Sequence, residues 1–251
     1  MVTQVGQDEL IWGRNVVVSA LKAGRGLNRI FIGAQRGRDL AVIRKLAKER
    51  RIPVENANRQ QLDQLTDNAK HQGVVAFTAP RSYVDIPEIL ARAKTAGEPP
   101  LVLMLAHVED PRNLGAAART AAAAGAHGII IPVRRAAPVT GVAEKAAAGA
   151  LDKIPVARVV NLTRCLQDLK AAGLWAAGAD MQGEQLYFEA DLTGPLVLVV
   201  GGEDKGLGRL LASECDFRVR IPMDEKVASL NTSVAASLLL YEVVRQRMQA
   251  H

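Results

Sequence analysis

Leu196-Val197-Leu198-Val199-Val200-Gly201-Gly202-Glu203 is the stretch on which the fold turns. Five apolar residues in a row leave no polar alternate position, so the run suits a strand covered on both faces. The glycines after it suit a tight turn at the strand's carboxyl end. Similar runs stand at Leu101 to Leu105, Gly128 to Ile131, Leu174 to Ala177 and Phe217 to Ile221, with helix-like stretches at Leu114 to Ala124 and Leu162 to Ala171. This alternation predicts an α/β fold built on a parallel sheet flanked by helices. The last helix, from Leu230 to about Arg247, is apolar nearly all round through Val234, Leu238, Leu239, Leu240, Val243 and Val244, so it needs more than one partner surface. A buried dimer contact would supply one.

Toward the amino terminus the pattern changes. Val16 to Leu21 and Asp39 to Arg50 read as helices, and Arg29 to Ile32 and Val74 to Phe77 as strands, which makes a small α/β unit. Beyond Pro80 there is one weak helical piece, Pro87 to Thr95, and then Gly97-Glu98-Pro99-Pro100, a linker signature. The expected division is 1–80, a linker over 81–98, and 99–251.

The net charge of +6 is concentrated in the first of these. Residues 1–80 hold 13 Lys and Arg against seven Asp and Glu, while the remainder holds 19 of each. Arg29, Arg36, Arg38, Arg44, Lys45, Lys48, Arg50 and Arg51 crowd one short region, which would attract a polyanion through phosphate contacts; a solvated helix face is the other reading. With 251 residues and 49% hydrophobic content the chain can bury a sizeable core. Cys165 and Cys215 lack a CxxC pairing and any His cluster at ligand spacing, so neither a metal site nor a disulfide framework is expected. No apolar run is long enough to span a bilayer. A soluble protein of a reducing compartment, the cytoplasm, is the expectation.

Three segments could carry chemistry. Asp110-Pro111-Arg112-Asn113 follows a predicted strand, and Asn113 is read as the N-cap of a helix that Gly125 ends. Arg119 stands in that helix among Ala, Leu and Gly, and its planar fork suits a phosphate, or else a structural pair with Glu203. The turn after Val200 carries Gly201, Gly202, Glu203, Gly206 and Gly208, where missing Cβ atoms let a ligand approach the backbone. It is not a GxxxxGK[ST] phosphate loop, and no GxGxxG lies between a strand and a helix, which removes the usual dinucleotide readings. The third segment is Ile221-Pro222-Met223 followed by Ser229-Leu230-Asn231-Thr232-Ser233, with Ser229 as a possible N-cap and the helix-mouth amides free for a ligand.

In this order and spacing the three segments resemble the motifs of the SpoU-type branch of the SPOUT superfamily of RNA 2′-O-ribose methyltransferases. Trp12-Gly13-Arg14-Asn15-Val16-Val17 and His71-Gln72-Gly73-Val74-Val75-Ala76 look like that family's amino-terminal L30e-like RNA-binding domain. The stretch from Ile131-Pro132 through Ala147, Gly149 and Ala150 is similar to the subfamily that modifies a guanosine in 23S ribosomal RNA.

The resemblance implies a carboxyl-terminal trefoil knot, S-adenosyl-L-methionine as methyl donor with no metal, and a homodimer through the carboxyl-terminal domain. It assigns Asn113, Arg119, Glu203, Asn231 and Ser233 to catalysis. Gly201, Gly202, Ile221, Met223 and Leu230 fall to the cofactor, and Arg14, Arg29, Arg36, Arg38, Arg44 and Lys45 to RNA. Asp204 stands where Gly is common and Thr232 where Val is common. Transfer RNA as substrate, or a non-catalytic ribosome-assembly role, are the competing implications.

Overall fold

The computed structural model describes residues 9–34, 37–79, 81–203, 206–224 and 226–250. The amino-terminal part runs β1 (Glu9–Trp12), α1 (Arg14–Lys22), β2 (Leu27–Ile32), α2 (Arg38–Glu49), β3 (Val54–Asn56), α3 (Arg59–Leu65) and β4 (Val74–Thr78), a four-stranded mixed sheet in the order β1-β4-β2-β3. Ile30 and Ile32 face α1 and α2, where Val17, Leu21, Leu40 and Ile43 complete a core. Phe31 lies on the opposite face with Leu62 and Val75. The strand β3 and helix α3 are too short and polar for periodicity to reveal.

The second part runs α4 (Ile86–Ala96), β5 (Leu101–Leu105), α5 (Pro111–Ala123), β6 (Gly128–Pro132), α6 (Gly141–Ala147), β7 (Val156–Val159), α7 (Leu162–Ala171), β8 (Trp175–Ala179), β9 (Gln185–Leu186), β10 (Leu196–Val200), α8 (Arg209–Glu214), β11 (Phe217–Arg220) and α9 (Thr232–Gln249). Its seven strands pair in parallel in the order β7-β6-β5-β10-β8-β11-β9. The all-apolar runs are explained by what covers them. Leu101, Leu103 and Leu105 point into a core with Leu114 of α5, Ala143 of α6 and Leu239 of α9, while Val102 and Met104 point the other way onto Ile89 of α4, Leu166 of α7 and Leu211 of α8.

That second core corrects the expected linker. Ile89 and Ala93 of α4 are fully buried, and Val84 bridges to Ala157 of β7, so most of 81–98 packs as part of the larger sheet's cover. The Pro99-Pro100 pair masks this in the sequence.

The two sheets are held together through α6. The Glu144 carboxylate, with no exposed surface, accepts from Arg25 Nη1 at 2.7 Å and Arg81 Nε at 2.9 Å, and Arg81 also donates to Asp152 at 2.5 Å and to the Leu151 carbonyl at 2.6 Å. Burial works against the charged Arg81 guanidinium, but Glu144 and Asp152 more than offset it, and its pKa is raised. Gly141 lets α6 approach β1: a Cβ there would stand 2.1 Å from the Leu10 carbonyl oxygen and 2.4 Å from the Trp12 ring.

Gly115 does the same between α5 and α6, where a Cβ would meet the Ala143 oxygen at 2.3 Å and the Ala146 Cβ at 2.7 Å. Backbone cannot yield there as a flexible side chain would. Gly115→Ala is expected to lower unfolding free energy by about 1–3 kcal/mol, read from urea denaturation, despite the better helix propensity of alanine; an unchanged or higher stability would refute that close crossing.

Candidate functional site

The carboxyl ends of β5, β10 and β11 lie near one another because β10 sits between β5 and β8, and β8 beside β11. In open parallel sheets that edge, where strand order reverses, is where ligands bind. All three sequence segments leave from it.

Asp110, not Asn113, caps α5: its carboxylate accepts from the Arg112 amide at 2.7 Å, and Pro111 takes the first helical position, where the missing N–H costs nothing. Asp-Pro is itself a helix-start signal and locates the cap two residues before the arginine amide it serves. Asn113 therefore lies in the first turn with its side chain free to reach across. Its Nδ2 donates to Glu203 Oε1 at 3.1 Å, and its Oδ1 accepts from Asn231 Nδ2 at 2.9 Å.

Asn231, not Ser229, caps α9. Its Oδ1 accepts from the Ser233 amide at 2.9 Å and from Ser233 Oγ at 2.6 Å. The amides at the helix mouth are thereby occupied, since that of Thr232 also reaches Glu203 Oε1 at 3.4 Å, and they are not the free ligand donors that the sequence suggested. The hydrogen bonds run one way: Ser233 donates to Asn231, Asn231 to Asn113, and Asn113 to the Glu203 carboxylate. Each amide's orientation is fixed by its neighbours, and the terminal acceptor is an anion, which strengthens the series.

Thr232 finds its purpose here. Its hydroxyl, buried, donates to the Gly201 carbonyl at 3.3 Å, tying the start of α9 to the glycine turn, which a valine could not do. Further along, Ser237 Oγ donates to the Ser233 carbonyl at 2.7 Å and lies 3.0 Å from the Thr120 hydroxyl, fixing α9 on α5. Neither contact carries a sequence signature beyond polar residues inside an apolar helix.

Beside this network lies a cavity of about 580 Å³ walled by Gly201, Gly202, Glu203, Ile221, Met223 and Leu230, with Asp180, Met181 and Gln182 from the loop after β8 on the far side. Its size falls within the range of about 300–1,000 Å³ usual for small-molecule sites. The five residues assigned to a cofactor are all in its wall. Asp180 and Gln182 were missed because the loop after β8 has no motif; only its place beside β10 draws attention to it. Gly201 is required by the turn itself: a Cβ there would stand 2.1 Å from the Gly206 carbonyl carbon. Asp204 lies outside the described residues.

Arg119 stands apart from the network. It is exposed and, among the described residues, bonds neither Glu203 nor any other carboxylate. Six residues along a helix turn a side chain about 120° away from the first, so Asn113 and Arg119 face different directions.

The amino-terminal cations do not form one patch. Arg38, Arg44 and Lys45 lie on α2, Arg44 donating to Asn56 at 3.0 Å and Lys45 standing 4.0 Å from Glu49, whereas Arg29 lies on the other face of the sheet, its guanidinium 4.4 Å from the Phe77 ring centre. Arg36 lies outside the described residues. Arg14 is engaged in the fold, donating through Nε to the Gln72 carbonyl at 3.1 Å. The Gln72 side chain in turn accepts from the Arg14 amide at 3.1 Å and from Lys145 Nζ at 3.2 Å. The Trp12 and His71 motifs thus build the seam against α6.

Among the described residues no group of His, Cys, Asp and Glu could hold a metal ion, and no helix is long and apolar enough to cross a membrane. Burial pushes the Cys165 and Cys215 thiols up to about 11, leaving both protonated near neutral pH.

Comparison with known proteins gives consistent matches. A sequence model of the SpoU rRNA Methylase family matches residues 100–241, and one described as RNA 2′-O ribose methyltransferase substrate binding matches residues 10–84. The candidate TrmH family tRNA/rRNA methyltransferase YacO of Bacillus subtilis is 43% identical over 243 residues, spanning 96% of this chain and 97% of its own. The SpoU methyltransferase AviRb of Streptomyces viridochromogenes, solved in complex with the cofactor AdoMet, superposes with a TM-score of 0.82 at 27% identity, covering 96% of this chain and 91% of its own. The AdoMet-bound rRNA methyltransferase of Sinorhizobium meliloti gives a TM-score of 0.79 at 27% identity, covering 95% and 87%.

Proposed function

Because this chain belongs to the SpoU rRNA methylase family, an AdoMet-dependent RNA methyltransferase family, we propose that it methylates the ribose 2′-hydroxyl of a guanosine in 23S ribosomal RNA, in the cytoplasm and as a homodimer. The observation that carries this reading is the one-way series of hydrogen bonds from Ser233 through Asn231 and Asn113 to Glu203, laid along the wall of the 580 Å³ cavity. A non-catalytic RNA binder has no use for such an ordered set beside an open cavity. Transfer RNA is the alternative substrate, since the relative YacO carries both RNAs in its description.

The cavity suits S-adenosylmethionine in its donor set. Ile221, Met223 and Leu230 offer an apolar wall for an adenine, Asp180 and Gln182 offer polar groups, and the Gly201 turn brings backbone close without a Cβ in the way. When bound, that cofactor supplies a methyl already activated on a sulfonium. The trefoil knot implied by the motifs belongs to the same reading.

The chain's own task is alignment and charge. Asn113, held at both ends of its amide, keeps the Glu203 and Asn231 loops in register at the cavity mouth. The role of Arg119 is electrostatic: its guanidinium binds the phosphate next to the target ribose and stabilises charge developing on the 2′-oxygen, while solvent or that phosphate takes the proton. Its outward position supports action across a subunit boundary. Val234, Leu238 and Tyr241 of α9 are 46%, 38% and 52% exposed on the helix that Thr120, next to Arg119, contacts, an apolar stripe suited to a second copy of the chain.

Calorimetric titration tests the cofactor assignment. The protein is expected to bind S-adenosylmethionine at one site per chain, and Gly201→Ala, by displacing the turn, to weaken it by about tenfold or more, a loss of about 1.4 kcal/mol. Failure of the unaltered protein to bind would contradict the reading.

A further inference from the structure

The even charge balance of residues 81–251 hides an uneven distribution. In this part of the chain, among the described residues, the arginines nearly all have a carboxylate, carbonyl or ring against them; Arg119, Arg134, Arg135 and Arg209 do not. Three of these four line one pocket of about 500 Å³, together with His107 and the Asn161 turn. It opens at the carboxyl ends of β5, β6 and β7 and shares Gly206 with the wall of the cofactor cavity. His107 packs directly on the glycine turn, since a Cβ on Gly202 would stand 2.6 Å from the His107 Cβ. Its ring lies 3.6 Å from Glu109.

The pocket is built rather than incidental. Arg158 donates to the Val133 carbonyl at 2.9 Å while lying 5.0 Å from the Tyr83 ring centre, and so props the loop that presents Arg134 and Arg135. Arg135 holds φ at 64°, a conformation unfavourable for a non-glycine residue, with its carbonyl accepting from Val108 at 3.4 Å.

We infer that the pocket of Arg134, Arg135 and Arg209 binds the phosphodiester backbone of single-stranded RNA flanking the nucleotide presented to the adjacent cavity. The inference rests on the RNA methyltransferase reading and moves part of RNA binding from the amino-terminal domain to the catalytic edge of the large sheet. Three guanidinium groups without a partner among the described residues exceed what one phosphate requires and suit more than one phosphate of a strand. An unpaired strand is favoured because reaching a 2′-hydroxyl and reading a base both need an opened backbone.

The test uses the full chain, a fluorescent single-stranded 20-nucleotide RNA, and the variants Arg134→Gln, Arg209→Gln and the triple Arg134→Gln/Arg135→Gln/Arg209→Gln. The triple variant is expected to bind RNA about tenfold more weakly at low salt, with the slope of log affinity against log salt shallower by about 2, and each single variant by about 0.7. Its S-adenosylmethionine affinity should stay within about twofold, which also shows that it is folded. Slopes equal to the unaltered protein's overturn the inference, as does absence of binding to the RNA by that protein. A changed sedimentation coefficient with unchanged RNA binding overturns it too, assigning the arginines to contact between copies. If the triple variant loses RNA as expected but the unaltered protein transfers no methyl group, the methyltransferase reading falls while the RNA site stands.

Discussion

Arg119→Ala is expected to lower the rate of methyl transfer to RNA by about 10²–10³, the scale for removing one charged group aimed at a developing oxyanion. Affinity for S-adenosylmethionine should hardly change, because Arg119 is not in the cavity wall. Single-turnover kinetics separate the two. Arg119→Lys keeps the charge but loses the fork, so a residual rate is expected whose dependence on pH runs parallel to that of the unaltered enzyme. Loss of the pH-dependent limb in the lysine variant would instead make Arg119 itself the group that loses a proton. A mixture of Arg119→Ala with a cofactor-site variant such as Gly201→Ala adds a further reading: if the arginine serves the neighbouring subunit's cavity, mixed dimers recover activity that neither variant shows alone.

The second large effect concerns stability. Glu144→Ala removes the carboxylate that Arg25 and Arg81 share, with side chains only 12% and 16% exposed, leaving Arg25 with Glu9 at 3.6 Å and Arg81 with Asp152 at 2.5 Å as their remaining counter-ions. Breaking a buried ion pair from one side costs about 3–5 kcal/mol, a large part of the whole stability of a typical domain. Because Arg25 belongs to the small domain and Glu144 to the large one, urea denaturation should show the single transition splitting as well as moving to lower urea. Glu144→Gln keeps the shape and one acceptor and should lose less. A cost under about 1 kcal/mol for Glu144→Ala would mean that the seam is held by its other contacts, Trp12 against Gly141, Gln72 against Lys145 and Ser19 against the Gly149 carbonyl.

The large sheet was legible because β5, β6 and β10 have to be apolar on both faces, and a run without polar alternation says so directly. The shorter β7, β9 and α6 were not, since a strand of two to four residues carries little readable period and the seven residues of Gly141–Ala147 make barely two turns, too few for a helical stripe to show. The position of α4 was hidden by the proline pair after it.

At the site, which segments meet was readable from their shared place at strand ends, but not how. The capping roles of Asn113 and Ser229 passed to Asp110 and Asn231, and helix periodicity alone separates Arg119 from Asn113 by about 120°, an elementary constraint that motif spacing obscures. Charge counting located an excess in residues 1–80 but could not see that the fold splits it over two faces, or that Arg134, Arg135 and Arg209, 75 residues apart at the extremes, line one pocket. Pairing decides whether a cation is available, and pairing is a property of the folded chain.

The most direct measurement is incubation of the protein with methyl-labelled S-adenosylmethionine and unmodified ribosomal and transfer RNA, followed by nuclease digestion and mass spectrometry of the labelled nucleoside. Label is expected in 2′-O-methylguanosine from 23S ribosomal RNA. Label on a base, or none in any RNA from a protein that binds the cofactor, would contradict it.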